Sequence, residues 1–203
     1  MKVDDRRMAL ACVQEQMLAC RLCMHAGFPV SPRAVFSGRV GARLMVVGQA
    51  PGSTEQATGR PFNAGSGRRL FEWLQQAGLE ERAFRSRQYM TSVTKCYPGR
   101  SAAGSGDRPP TPAEQQLCRP YLQAELDLVK PQIILAVGRL AIRTLLETAD
   151  PLEELVGRAF ERDGRWVFPL PHPSGASRWH QVEDNRRRIA TAMRRLRHQL
   201  GAD

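Results

Sequence analysis

The sequence has no long hydrophobic run and no leader-like start. No segment approaches the roughly 18 consecutive apolar residues that a membrane-spanning helix requires, which excludes an integral membrane protein. The chain begins with the charged residues MKVDDRR, and no apolar signal-peptide segment follows them. We therefore expect a cytoplasmic protein that has no membrane partner.

Signatures of nucleotide-binding proteins are also missing. The segment GQAPGSTE at residues 48–55 lacks the Gly-Lys-Ser/Thr ending of a P-loop and the G-x-G-x-x-G pattern of a dinucleotide site. We therefore expect no nucleotide cofactor, and an enzyme of that class is disfavoured.

Acidic residues are scarce, since 20 Asp and Glu stand against 30 Lys and Arg and the net charge is +10. A balance this basic favours polyanionic partners, with nucleic acid first and an anionic membrane surface second. With 203 residues and 42% hydrophobic content, the chain can form one domain with a substantial core. We expect a single, monomeric domain over residues 1–203, with a flexible Gly- and Ser-rich loop at about residues 99–110.

Apolar runs and helical patterns alternate along the chain. Strands are predicted at residues 43–48, 88–94, 132–137 and 165–170. Helices are predicted at residues 8–19, 67–78 and 111–130, after Gly138, and from about residue 184. Residues 147–164 are predicted to be a mixed connection. This order predicts an α/β fold with three layers, α/β/α, around a central four-stranded and mainly parallel sheet.

Three loops leave the carboxyl ends of predicted strands, after Val47, Thr94 and Leu170. In an open parallel sheet these ends meet at one edge, where ligands bind. The first loop is rich in Gly and Pro, so its backbone can approach a ligand closely and keep a fixed shape. The side chains that these loops bring towards one crevice are Gln49, Phe62, Ser92 and His172.

The chain has five cysteines: Cys12, Cys20, Cys23, Cys96 and Cys118. A cytosolic protein is not expected to hold them as disulfides. Four thiolates suit a tetrahedral zinc site or an iron–sulfur cluster. A redox pair at Cys20 and Cys23 is a further interpretation, but this pair does not follow a strand as thioredoxin-like sites do. Buried free thiols are the remaining alternative.

Four short motifs, taken with the cysteines, resemble the uracil-DNA glycosylases. The motifs are Gly48-Gln49-Ala50-Pro51-Gly52, Gly59-Arg60-Pro61-Phe62, Ser92-Val93-Thr94-Lys95-Cys96 and His172-Pro173-Ser174, in the order and spacing of that family. The similarity is greatest to its iron–sulfur branch, families 4 and 5, and covers roughly residues 18–200. It implies a uracil-DNA glycosylase-like fold and a DNA repair enzyme. Such an enzyme flips a deaminated base out of DNA and hydrolyses its N-glycosidic bond, leaving an abasic site.

The resemblance also implies roles for individual residues. Phe62 would stack on the flipped base, and His172 would donate a hydrogen bond to its carbonyl oxygen as negative charge develops there. Gln49 would position the attacking water. Further contacts to the base are implied for Gly48, Ala50, Asn63 and Ser92.

Two of these positions depart from the family. Gln49 stands where family 4 usually has an acidic residue and family 5 an apolar one; its amide can hold a water but cannot accept a proton at neutral pH. Ser92 replaces the Asn with which family 4 contacts the N3–H and O4 edge of uracil. Because a hydroxyl can make only one such bond, we expect a broader choice of base, including hypoxanthine or xanthine, or weaker uracil activity. Asn63 is a candidate to compensate, unless it only forms a turn.

Residues 174–179 resemble the loop with which these enzymes enter the minor groove of DNA. Ser174 and the backbone amides near Gly175 would contact a phosphate. Arg178 or Trp179 would fill the gap that the flipped base leaves.

The cysteines match the family as well. Cys20, Cys23, Cys96 and Cys118 match its four cluster ligands, which implies a structural [4Fe–4S] cluster, with zinc as the alternative. Cys12 matches no ligand.

A second function also fits the sequence. The departures at Gln49 and Ser92 support a DNA-binding relative whose catalysis is weak or lost. A covalent-trapping branch of the superfamily is disfavoured, because its basic, His-containing insertion is absent after Ser92.

Overall fold

The computed structural model describes residues 2–102, 106–175 and 177–201. Its strands are β1 (Leu44–Gly48), β2 (Tyr89–Ser92), β3 (Ile133–Val137), β4 (Phe160–Arg162) and β5 (Arg165–Leu170). Its helices are α1 (Val3–Ala19), α2 (Leu22–His25), α3 (Ser53–Thr58), α4 (Gly65–Gln76), α5 (Glu81–Arg87), α6 (Pro112–Val129), α7 (Arg139–Leu146), α8 (Leu152–Leu155) and α9 (Glu183–Leu200), with a 3-10 helix at Trp179–Gln181. No helix within these ranges is long and apolar enough to cross a membrane.

The strands form one sheet in the order β2-β1-β3-β5-β4. Strands β2, β1, β3 and β5 are parallel to one another, and β4 is antiparallel to β5. Every residue of β1, β2 and β3 is buried, so other elements cover both faces of the sheet. Helix α1 packs on α6, and α4 packs on α9. The predicted α/β class with a mainly parallel sheet is confirmed.

The sheet has five strands where the sequence predicted four. Strand β4 lies inside the segment 147–164 that was assigned to a mixed connection, and it pairs Glu161 with Trp166 of β5. Asp163 and Gly164 join the two strands, with φ values of 50° and 70°. An Asp-Gly pair is typical of a two-residue hairpin turn. The strand itself was missed because its three residues, Phe-Glu-Arg, contain no apolar run.

The start of α6 follows the predicted capping pattern. Thr111 Oγ1 accepts a hydrogen bond from the Glu114 amide at 3.2 Å, and Glu114 accepts one from the Thr111 amide at 2.7 Å. Helices α3 and α5 were not predicted, because they have only six and seven residues and no clear helical repeat of apolar side chains. As a consequence, Phe62 follows a short helix instead of a continuous loop.

Candidate active site and cysteine cavity

A cleft of about 570 Å³ lies at the carboxyl ends of the parallel strands. It is lined by the loops after β1 and β5, by the last residues of β2 and by the turn that begins α7. Of the residues singled out in the sequence, it brings together Gly48, Gln49, Ala50, Phe62, Ser92, His172 and Ser174. The parallel-strand rule therefore assembled the right loops, although it did not identify the loop after β3 as a fourth contributor.

One wall of the cleft is formed by Gly48, the Phe62 ring and Ser92. A Cβ atom added to Gly48 would lie 3.0 Å from Phe62 Cζ and 3.8 Å from Ser92 Cβ. The missing side chain thus lets the aromatic ring and the serine stand close together. A flat ligand can then rest on the ring while its edge faces the end of β2.

The backbone of Phe62 has an unusual conformation that several groups hold in place. Its φ is 49°, in the left-handed region that residues with a side chain seldom adopt. The guanidinium of Arg85 donates to the carbonyl oxygens of Pro61 at 2.8 Å and Phe62 at 2.5 Å. Gly67 leaves room for this turn, since a Cβ there would lie 1.9 Å from the Phe62 oxygen. The ring is therefore fixed by its backbone as well as by its own packing.

His172 follows β5 and lies against the start of α7. Its Nδ1 atom accepts a hydrogen bond from the Ser174 amide at 3.3 Å, so the neutral ring carries its proton on Nε2. Burial lowers the pKa of this imidazole below its usual 6.5, which favours the neutral form near neutral pH. A Cβ on Gly138 would lie 3.3 Å from His172 Cδ2, so this glycine leaves space for the ring. His172 is thus a neutral Nε2–H donor.

Two carboxylates line the same cleft, and sequence patterns did not identify them. Glu55 is buried and accepts a hydrogen bond from the Gly52 amide at 2.6 Å; burial raises its pKa, and the charge of Asp107 raises it further. Asp107 is exposed and accepts a hydrogen bond from Tyr97 Oη at 2.8 Å. The Gly52-to-Glu55 capping spacing could have indicated the first, whereas no local pattern places the second.

Asp107 belongs to the segment predicted to be flexible. Residues flanking its tip pair with one another, since the Ser101 amide donates to Gly106 O at 3.0 Å and the Arg108 amide to Gly99 O at 3.0 Å. Residues 103–105 lie outside the described residues. The two flanks form a small antiparallel hairpin, and this hairpin brings Asp107 to the cleft.

Three residues with an implied role face elsewhere. Asn63 is not part of the cleft lining, and its Nδ2 atom donates to Thr58 Oγ1 at 2.5 Å, as a turn-forming Asn would. The Trp179 indole packs against the core and donates to Glu153. Gly175 and Arg178 are exposed beyond the cleft, and Ala176 between them is outside the described residues. Of the two candidate wedge side chains, the exposed Arg178 is the better placed to enter DNA.

The four cysteines of the predicted metal site line a single small cavity of about 30 Å³. Cys20 and Cys23 reach it from the α1–α2 junction, Cys96 from the segment after β2, and Cys118 from α6. Cys12 is exposed and lies outside it.

The surroundings of this cavity disfavour bare thiolates. Burial raises the pKa of Cys23 to about 11 and that of Cys96 to about 12, and neighbouring thiols add to both shifts. Four negative charges would need a compensating cation. The donor set therefore fits a cationic metal centre. No three His, Cys, Asp or Glu side chains of the described chain are arranged to hold a single ion.

Comparisons with known proteins point in one direction. Residues 36–197 match the sequence profile of the uracil DNA glycosylase superfamily. The chain is 30% identical over 165 residues to the type-4 uracil-DNA glycosylase of Thermotoga maritima, covering 80% of each chain. It is also 30% identical over 172 residues to that of Archaeoglobus fulgidus, again covering 80% of each. The type-5 uracil-DNA glycosylase of Pyrobaculum aerophilum is 35% identical over 161 residues, which cover 73% of this chain and 66% of the relative.

Proposed function

The chain belongs to the uracil DNA glycosylase superfamily, and from this membership we propose that it excises uracil from DNA by hydrolysing the N-glycosidic bond. The single observation that carries the proposal is the convergence of Gln49, Phe62 and His172 on one cleft. These side chains supply the three things that excision needs: a water contact, a stacking surface and a donor to the departing base.

We propose that the leaving base is stabilised by His172. The flipped uracil stacks on Phe62, and the electron pair of the N1–C1′ bond departs with the base. Negative charge then spreads to a carbonyl oxygen, where the Nε2–H of the neutral ring donates. A hydrogen bond that strengthens as the charge develops lowers the barrier selectively. The neutral ring is supported by the lowered pKa and by the amide bond to Nδ1.

The attacking water is held by Gln49 in this proposal. Its amide oxygen accepts a hydrogen bond from the water but does not take its proton. Of the two carboxylates in the cleft, Glu55 is engaged by the Gly52 amide, whereas Asp107 is exposed. We therefore assign to Asp107 the acceptance of the water proton as the oxygen bonds to C1′.

We also propose that Cys20, Cys23, Cys96 and Cys118 hold a [4Fe–4S] cluster. Support comes from the shared cavity and from the requirement for a cation. A four-iron cluster holds its thiolates farther apart than a zinc ion does, which agrees with a spacing unsuited to one ion in the described residues. When bound, the cluster supplies a structural cross-link, because excision transfers no electron to the protein.

DNA is the proposed partner of the face around the cleft. Ser174 lines the cleft and can contact a phosphate together with the amide of Gly175, while the exposed Arg178 inserts beside the flipped base. The net charge of +10 provides the general attraction for the phosphate backbone.

The decisive experiment incubates the protein with duplexes carrying uracil, thymine, hypoxanthine or xanthine and then cleaves abasic sites with alkali. We expect strand breaks at uracil that fall about 10²- to 10³-fold in His172→Ala. His198→Ala, which changes an exposed histidine on α9, is the matched control and should keep the wild-type rate. Binding to these duplexes without strand breaks would instead support a DNA-binding relative that has lost catalysis.

A further inference from the structure

The end of β2 carries a buried charged network that the mechanism above does not use. Lys95 and Glu125 have side chains that are 2% and 0% exposed, and Lys95 Nζ lies 2.6 Å from Glu125 Oε2. Glu125 also accepts hydrogen bonds from Tyr89 Oη and Thr91 Oγ1, each at 3.0 Å. The network therefore ties α6 to both faces of the strand end.

Lys95 also fixes the backbone at the base of the cleft. Its ammonium group donates to the Ser92 carbonyl at 2.5 Å and to Thr91 Oγ1 at 2.9 Å. A buried ion pair adds little stability compared with apolar side chains of the same size, because both charges lose their water. Its position suggests a different value, which is to hold Ser92 in one place.

The hydroxyl of Ser92 is committed in the same way. Ser92 is 6% exposed, and its Oγ donates to the carbonyl oxygen of Thr94 at 2.8 Å. A hydroxyl has one proton and two lone pairs, so this bond uses its only donor. Turning that proton to a ligand would break a bond inside the protein. Since Ser92 lines the cleft, the group it offers there is a hydrogen-bond acceptor and not a donor.

We propose that Ser92 selects bases by accepting a hydrogen bond from a ring N–H, and that Lys95 is the positioning residue that holds it. This inference rests on the proposed uracil excision and deepens it. Uracil presents N3–H and satisfies the acceptor, whereas cytosine presents a lone pair at N3 and opposes it. Hypoxanthine presents N1–H and is compatible, so one acceptor excludes amino-type bases while it admits several deaminated ones. Thymine carries the same N3–H, and its exclusion falls to the shape of the pocket around the 5-methyl group.

The test measures binding to uncleavable 2′-fluoroarabino analogues of deoxyuridine and deoxycytidine, each opposite an abasic analogue so that pairing does not contribute. We expect wild-type protein to prefer the uracil analogue by at least tenfold. Ser92→Ala should narrow that ratio by about tenfold, which is the scale of one hydrogen bond. Ser66→Ala, at another serine of the cleft lining, is the control and should keep the wild-type ratio.

A second variant tests the positioning role. Replacing the ion pair by Lys95→Met together with Glu125→Leu keeps the site apolar and filled, and it should narrow the same ratio while the melting temperature stays near that of the wild type. An unchanged ratio in Ser92→Ala would overturn the inference even if uracil is excised. If the wild type excises no uracil, the proposed function fails, whereas the binding ratio still decides the role of Ser92.

Discussion

The protonation state of His172 gives the cleft a defined response to pH. Burial places its folded-state pKa below the usual 6.5, and protonation of Nδ1 would break the bond from the Ser174 amide. The neutral donor therefore persists as pH falls through 6.5 and is lost only in more acidic solution. We expect single-turnover uracil excision to be flat across neutral pH and to decline below that value. A decline centred above 6.5 would contradict the assignment of a buried neutral ring.

A second prediction at this scale concerns Asp107. Asp107→Asn removes the proton acceptor but keeps the shape and the Tyr97 contact, so we expect excision to slow by about 10²-fold. The rate should be measured under single turnover on uracil-containing duplexes. Asp150→Asn changes an exposed carboxylate in the loop after α7 and serves as control. Wild-type turnover in Asp107→Asn would leave Gln49 as the sole water contact of the mechanism.

Helix α5 acts on the stacking wall through one side chain. Arg85 donates to the carbonyls of Pro61 and Phe62, lies over the Phe71 ring at 4.6 Å and pairs with Glu81 at 2.7 Å. Arg85→Met keeps much of the aliphatic packing but releases the left-handed turn at Phe62. We expect uracil excision to fall about tenfold, the scale of one or two hydrogen bonds, with little change in far-UV circular dichroism.

The matched control for α5 is Arg87→Met, at an exposed position of the same helix. It should excise uracil as the wild type does. If both arginine variants keep the wild-type rate, the Phe62 conformation does not depend on α5.

The cysteine cavity joins three elements that are distant in sequence. We expect purified protein to contain iron and acid-labile sulfide, and Cys118→Ser to lose both and to melt at a lower temperature. Cys12→Ser should match the wild type in metal content and in melting temperature, because Cys12 is exposed outside the cavity. A colourless protein that carries zinc would refute the cluster.

Elements with strong local signals were predictable from sequence. The apolar runs of β1 and β3 and the Thr111 cap of α6 depend on neighbouring residues alone. The cleft followed from a general rule on parallel strands. By contrast, Arg85 reaches Phe62 from another helix, and Asp107 reaches the cleft from a hairpin, so each depends on tertiary packing that local patterns do not encode.

The same limit explains how Ser92 was first interpreted. From residue type alone, a hydroxyl can donate or accept, and weak discrimination follows. The bond to the Thr94 carbonyl fixes which of the two faces the cleft. That choice depends on how the chain turns after β2, and sequence gives only the residue types involved.

At the scale of the whole molecule, charge should govern DNA affinity. Each phosphate contact releases counterions, so the affinity for duplex DNA should fall linearly with salt on a double-logarithmic plot. We expect Arg178→Ala to reduce the magnitude of that slope by about 1, as the loss of one cationic contact does. Arg195→Ala, at an exposed site on α9, should leave the slope unchanged. Fluorescence anisotropy across a salt series measures both, and equal slopes for the two variants would remove Arg178 from the interface.

Both edges of the sheet are poor templates for another strand. Strand β4 has only three residues and carries Glu161 and Arg162, while β2 exchanges hydrogen bonds between Met90 and Ser37, at 2.8 and 2.9 Å. Short, charged or covered edges discourage strand-by-strand association between copies. A basic protein gathers at high local density along DNA, where sticky edges would promote aggregation. The edge design therefore suits crowding on a polyanion: neighbouring copies can slide past one another without zipping into a shared sheet.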